Sequence, residues 1–162
     1  MEGIKNKALL KTDCYINGEW CKASSGKTME VRNPYSQASL ANIPDMDVSD
    51  CRAAIKAAHQ AFNEWKNFSA GKRSRILKKW YQLQLDNIDD LATILTTEQG
   101  KPLAEAKGEI RYGASFVEWF AEEAKRVYGD VIPGHGRDKR ITVTNNLSVL
   151  SVRLPHGIFR AL

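Results

Sequence analysis

The sequence predicts an α/β chain that is mostly helical: a short β-hairpin, then helices, then one strand. Three observations carry that expectation. An Asn-Gly pair stands among aromatic and β-branched residues in Tyr15-Ile16-Asn17-Gly18-Glu19-Trp20, the pattern of a tight hairpin. Between Asp47 and Tyr128, apolar residues recur every three or four positions, the period of amphipathic helices. In Lys139-Arg140-Ile141-Thr142-Val143-Thr144 polar and apolar residues alternate, the period of a half-buried strand.

The elements follow in order. After the hairpin, Ser24-Ser25-Gly26 makes a loop, and Val31-Arg32-Asn33-Pro34 closes a second short strand. Asp47-Val48-Ser49-Asp50 can cap a helix, with Asp50 favoured in the first turn by the helix dipole. Ala54, Ile55, Ala58, Phe62 and Trp65 form its apolar stripe. Ser69 caps a second helix with the stripe Ile76, Leu77, Trp80 and Leu83. Asn87 precedes a third, with Leu91, Ile94 and Leu95 inward, Asp89 and Asp90 at its N-terminus and Gly100 as its stop. Pro102 suits the first turn of a fourth helix, because its missing N–H would be unpaired there. Its pattern runs to Tyr128, which at 1.5 Å per residue gives about 40 Å.

That last helix carries two apolar stripes. Leu103, Ala106, Ile110, Val117, Ala121 and Ala124 make one; Tyr112, Phe116, Trp119 and Phe120 make another. A helix so apolar needs partners on two sides. The three shorter helices are expected to cover one side only. Glu122, four residues before Arg126, offers a favourable ion pair on the solvated face. After Gly129 the chain is expected to turn through Ile132-Pro133-Gly134.

Composition narrows the functional classes. Apolar runs fall far short of the ~20 residues of a membrane span, and the opening residues MEGIKNKALLKTDC lack the pattern of a secretion signal. Cys14, Cys21 and Cys51 are an odd count without ligand spacing, which argues against a disulfide or zinc framework and for a reducing cytoplasmic setting. The net charge of +5 falls to +3 without the two arginines of the last 18 residues, so basic character is partly a tail effect. A nucleic-acid partner is not expected, since basic residues are dispersed among acids.

Candidate chemistry is sparse. Gly134-His135-Gly136 is no phosphate cradle, because Lys139 stands where a third glycine is required. His59 lies inside a helix without ligand partners at useful spacing. Glu122 and Glu123 point about 100° apart on a helix and cannot share a substrate. No nucleophile elbow is present, and no cysteine starts a helix. The expected catalytic, cofactor-binding and metal-binding residues are therefore none.

One stretch is more specific. EQGKPLAEAKGEIRYGASFVEWFAEEAKRVYGDVIPG, Glu98 to Gly134, closely resembles a segment of NAD(P)-dependent succinate-semialdehyde dehydrogenases, a branch of the aldehyde dehydrogenase superfamily. YINGEW at Tyr15, Asn33-Pro34, the AAxxAFxxW run ending at Trp65, and Asp138-Lys139-Arg140 agree in order. The resemblance implies that residues 1–144 are a partial N-terminal, cofactor-binding domain, with its Rossmann sheet not completed. It implies a family reaction in which a Cys thiolate attacks an aldehyde, an Asn and a backbone N–H hold the oxyanion, hydride passes to NAD or NADP, and a Glu-activated water releases the acid. None of those residues maps onto this chain, so it is expected to bind no cofactor and to be inactive alone. Self-association, or pairing with an intact homologue, is the alternative.

Residues 145–162 do not follow the family wording. Codons can be chosen for Asn145 to Leu162 that, read one base earlier, spell KQPIGVISAITPWNFPSA, the kind of continuation the resemblance implies. The tail is therefore expected to be the product of one lost base after Thr144, the alternative being a divergent natural terminus.

Overall fold

A computed structural model describes residues 3–145. The expected separate tail, residues 145–162, lies outside the described residues apart from Asn145. Among the described residues a single 3-10 turn, Lys7–Leu9, precedes six strands and four helices. The strands form three separate antiparallel pairs and no parallel one among the described residues, so this α/β portion does not close a parallel sheet.

Strands β1 (Cys14–Ile16) and β2 (Glu19–Cys21) make the expected hairpin. Asn17 and Gly18 both have positive φ, 53° and 86°, as a tight turn matching strand twist requires. The second strand, β3 (Thr28–Arg32), has a partner the sequence pattern did not predict: β4 (Ser39–Pro44). The connection is an Asx turn in which Asn33 Oδ1 accepts the N–H groups of Tyr35 and Ser36 at 2.9 and 3.0 Å. β4 escapes a period-based reading because its inward residues, Ile43 and Pro44, are adjacent rather than alternating.

Helix α1 (Val48–Trp65) begins with a reciprocal capping box: Asp47 accepts from Ser49 and Asp50, and Asp50 accepts from Asp47. It buries no residue fully. Helix α2 (Ala70–Asp86) is capped by Ser69, whose hydroxyl accepts the Lys72 N–H. Asn87 ends α2 and starts α3 (Ile88–Gln99), and Gly100, at φ 72°, stops it in the left-handed conformation.

Helix α4 (Leu103–Glu123) packs against α2 and α3. Its residues Ala106 and Ile110 close on Leu91, Ala92 and Leu95 of α3, with Leu9 and Ile88 at the margin. α1 does not share this core, which corrects the expectation that all three shorter helices cover one side of α4. The predicted stripe of α2 holds in part: Leu77 and Trp80 are half-buried, but Ile76 and Leu83 are exposed and Ser74 is buried.

Pro102 is the N-cap of α4 rather than a first-turn residue, and the helix ends at Glu123 rather than Tyr128. Lys125 and Arg126 donate to carbonyls only three residues back, tightening the exit. The chain then forms β5 (Val131–Pro133), paired with β6 (Arg140–Thr142). Ile132-Pro133 is thus strand and not turn, and β6 is exposed rather than half-buried. Gly129 makes the approach possible: a Cβ there would stand 1.7 Å from the Val143 carbonyl oxygen. Beside it, Asp130 and Val143 exchange backbone hydrogen bonds of 3.1 and 2.8 Å.

Candidate functional site

The helix phase that packs α4 on α2 and α3 turns a second set of side chains outward. Ala106, Ala114 and Ala121 face inward with no exposure, and Ile110 with 5%. The opposite stripe is bare: Tyr112, Phe116, Trp119 and Phe120 are 48–65% exposed. Leu103, expected on the inner stripe, is also exposed. Tyr112 and Phe116 meet edge to face with centroids 4.8 Å apart. Ser115, Phe116, Glu118, Trp119, Phe120, Glu122 and Arg126 line a shallow apolar depression. Contiguous exposed aromatics of this kind mark a surface for interaction with protein, membrane or ligand, or a liability to aggregate.

Charge frames the depression at its C-terminal end. Glu122 binds Lys125, in the turn just past α4, and Lys78 on α2, each at 2.5 Å. Its carboxyl is held down to about 2, first by Lys125 and then by Lys78. Glu123, not Glu122, takes Arg126, and raises that guanidinium further. The expected Glu122–Arg126 pair therefore gives way to two i,i+3 pairs, because the helix tightens just past Glu123. The two carboxylates bind different cations.

The acidic pair at the start of α3 divides its roles. Asp89 binds Lys107 of α4 at 2.7 Å, which lowers its carboxyl. Asp90 is buried and accepts the backbone N–H groups of Lys5 and Asn6 at 3.0 and 2.8 Å. It is a latch for the N-terminal segment as well as a helix-start acid, a role its local sequence did not signal.

His59 is exposed on α1, and His135 is in the connection between β5 and β6, with its Nε2 3.0 Å from Lys139 Nζ. Gly134-His135-Gly136 belongs to that connection, where a Cβ on Gly134 would meet the Lys139 carbonyl oxygen at 2.2 Å. The cysteines are half-buried thiols. Among the described residues, no group of three His, Cys, Asp or Glu converges to hold a metal ion. The described strands pair only as antiparallel hairpins, so among the described residues no glycine-rich turn leads from a parallel strand into a helix, the phosphate-binding turn of a doubly wound dinucleotide fold.

This arrangement has close counterparts. The profile of the aldehyde dehydrogenase family matches residues 20–160, and the chain belongs to that family. The match passes beyond the described residues and takes in most of residues 145–162, contrary to the expectation that they stand outside the family. A glutarate-semialdehyde dehydrogenase from Pseudomonas putida is 52% identical over 98% of this chain and 32% of its own length. A succinate-semialdehyde dehydrogenase [NADP(+)] from Escherichia coli is 49% identical over 98% of this chain and 31% of its own. The crystal structure of a succinate-semialdehyde dehydrogenase from Burkholderia pseudomallei superposes with a TM-score of 0.83 at 51% identity, over 86% of this chain and 29% of that one. The chain thus spans about a third of the length of these relatives and has the fold of an N-terminal portion of theirs.

Proposed function

We propose that this chain is an N-terminal portion of a cytoplasmic NAD(P)-dependent semialdehyde dehydrogenase, acting in intact form on succinate semialdehyde or its one-carbon-longer homologue. In that reading the 162-residue polypeptide alone neither binds the nicotinamide cofactor nor turns over aldehyde. The observation that supports it is the bare aromatic stripe of α4, which lies in a chain about a third as long as its relatives. The stripe is where the remaining family fold would pack. No helix among the described residues is long and apolar enough to cross a membrane.

The test is aldehyde-dependent formation of NADH or NADPH by the purified chain with succinate semialdehyde. No rate above background is expected, and turnover by uncontaminated protein would overturn the reading. A second reading is favoured by the same stripe: a non-enzymatic module that pairs with itself or with an intact homologue. Co-purification with a tagged full-length dehydrogenase would support it. Residues 145–162 are proposed to lie outside the family sequence through one lost base after Thr144. The coding DNA tests this, and the idea is wrong if no single-base insertion there restores TPWNFP.

A further inference from the structure

We propose that Cys14 and Cys21 are a redox modification site, forming a reversible disulfide across the first hairpin. They are seven positions apart in sequence, yet β1 and β2 pair in the register Cys14↔Cys21, Tyr15↔Trp20, Ile16↔Glu19. Directly opposed residues of an antiparallel pair project to one face with Cα atoms about 4.5–5.5 Å apart. That separation lies inside the window of about 4.4–6.8 Å that a disulfide spans. Cys21 Sγ already leans across the hairpin, donating to the Cys14 carbonyl oxygen at 3.4 Å. Rotation about its Cα–Cβ bond exchanges that weak hydrogen bond for contact with the opposing sulfur.

The frame that holds the pair is built locally. The positive φ of Asn17 and Gly18 fixes the turn and hence the register. Tyr15 and Trp20, the adjacent pair, meet with ring centroids 5.1 Å apart, and the Lys11 ammonium lies 5.5 Å from the Trp20 ring centre. Cys51, on α1, has no place in the hairpin register and serves as an internal reference.

With hydrogen peroxide as oxidant the step balances. One thiolate attacks a peroxide oxygen and breaks the O–O bond, giving a sulfenic acid and, after protonation, water. The opposing thiol attacks the sulfenic sulfur and expels a second water. Two thiols and one peroxide become one disulfide and two waters, and a dithiol reverses the change by exchange. Burial, then the neighbouring Cys14 and the acids Asp50, Asp13 and Glu19, push the Cys21 thiol up. Less of Cys21 is thiolate at neutral pH than of an ordinary cysteine, so oxidation through it is slow there and quickens as the pH rises.

Trypsin reads the outcome directly, because Thr12 to Lys22 contains both cysteines and no internal Lys or Arg. After peroxide treatment of the full chain and alkylation, this peptide should be lighter by two hydrogens and unalkylated, while Cys51 is alkylated. At a fixed ratio of reduced to oxidised glutathione, the crosslinked fraction should be larger in the folded chain than in the isolated Thr12–Lys22 peptide. Cys51→Ser should leave the crosslink unchanged, and Gly18→Val, which the φ of 86° disfavours, should reduce it. Alkylation of both hairpin cysteines after oxidation would overturn the proposal. So would a Cys21–Cys51 bond, or a crosslinked fraction no larger than the peptide's.

Discussion

The two faces of α4 are both apolar by composition, yet only one does the work of folding in the described portion. The inner face carries Ala106, Ile110, Ala114 and Ala121, three of them alanines, and all are buried. The outer face carries Tyr112, Phe116, Trp119 and Phe120, and all are about half exposed or more. Small residues let α2 and α3 approach the helix closely, whereas the large aromatics stand on the face left exposed. Side-chain size, more than hydrophobicity, distinguishes the packed face from the exposed one. The sharpest way to break this comparison is to truncate each face and measure urea unfolding. Ile110→Ala should cost about 2–5 kcal/mol, since a nearly inaccessible side chain leaves a cavity. Phe116→Ala should stay within about 0.5 kcal/mol, the range of surface changes. Trp119→Ser with Phe120→Ser should leave the midpoint equally unmoved while lowering light scattering and binding of an apolar dye. Equal losses from the two faces would mean that the aromatic stripe is already covered in solution.

What could be read from the sequence was local, and what could not depended on distant partners. The Asn17-Gly18 turn, the Asp47 capping box, the Ser69 cap and the Gly100 stop each depend on a few neighbouring residues, and each formed where the sequence placed it. β4 was missed because Ser39–Pro44 carries no alternation of its own and is specified by pairing with β3. β5 was missed because Ile132-Pro133-Gly134 reads as a turn; Gly129, which lets two backbones touch, is the less visible signal. On α2, which packs against α4, Leu77 and Trp80 turn inward as their spacing predicts, while the burial of Ser74 has no signal in apolar spacing because a serine does not register in it. The same limit governed the candidate site. Aromatic spacing revealed the outer stripe, but the Lys78–Glu122 tie between two helices and the Asp90 latch join residues far apart in sequence. The Cys14–Cys21 opposition follows from a hairpin that was foreseen, so its register could have been counted from Asn17-Gly18 directly.

Asp90 sharpens the comparison between buried and exposed acids on a single helix turn. Its carboxylate satisfies two backbone N–H groups of the N-terminal segment, next to buried Ile4. Asp90→Ala leaves those donors without their acceptor and should cost about 1–3 kcal/mol. Hydrogen exchange at Lys5 and Asn6 should rise along with it. Asp89→Ala removes only a solvent-exposed tie to Lys107 and should cost clearly less, because such pairs are screened by water. If Asp89→Ala proves the more damaging, the latch does not anchor the N-terminal segment.

The smallest expected effect concerns the charges at the rim of the aromatic face. Glu122 ionises at about 2 in the folded chain against 4.5 ordinarily, because Lys125 and Lys78 bind its charged form. A carboxyl depressed on folding stabilises the folded state above its unfolded pKa. Its contribution is therefore present at neutral pH and is lost as the pH falls from 4.5 toward 2. Asp47, Asp89 and Glu30 are lowered in the same sense, by Ser49, Lys107 and Ser39 first, so the wild-type decline is a sum. Glu122→Gln isolates one component: its deficit against wild type should be greatest at neutral pH and vanish on acidification. Because the pair is exposed, high salt should shrink that deficit as well. Lys78→Met should reproduce part of the deficit by untying α2 from α4 while Lys125 remains in place. A deficit that grows on acidification would place the stabilising form of Glu122 on the protonated side, and the rim would then hold α2 and α4 together by something other than charge.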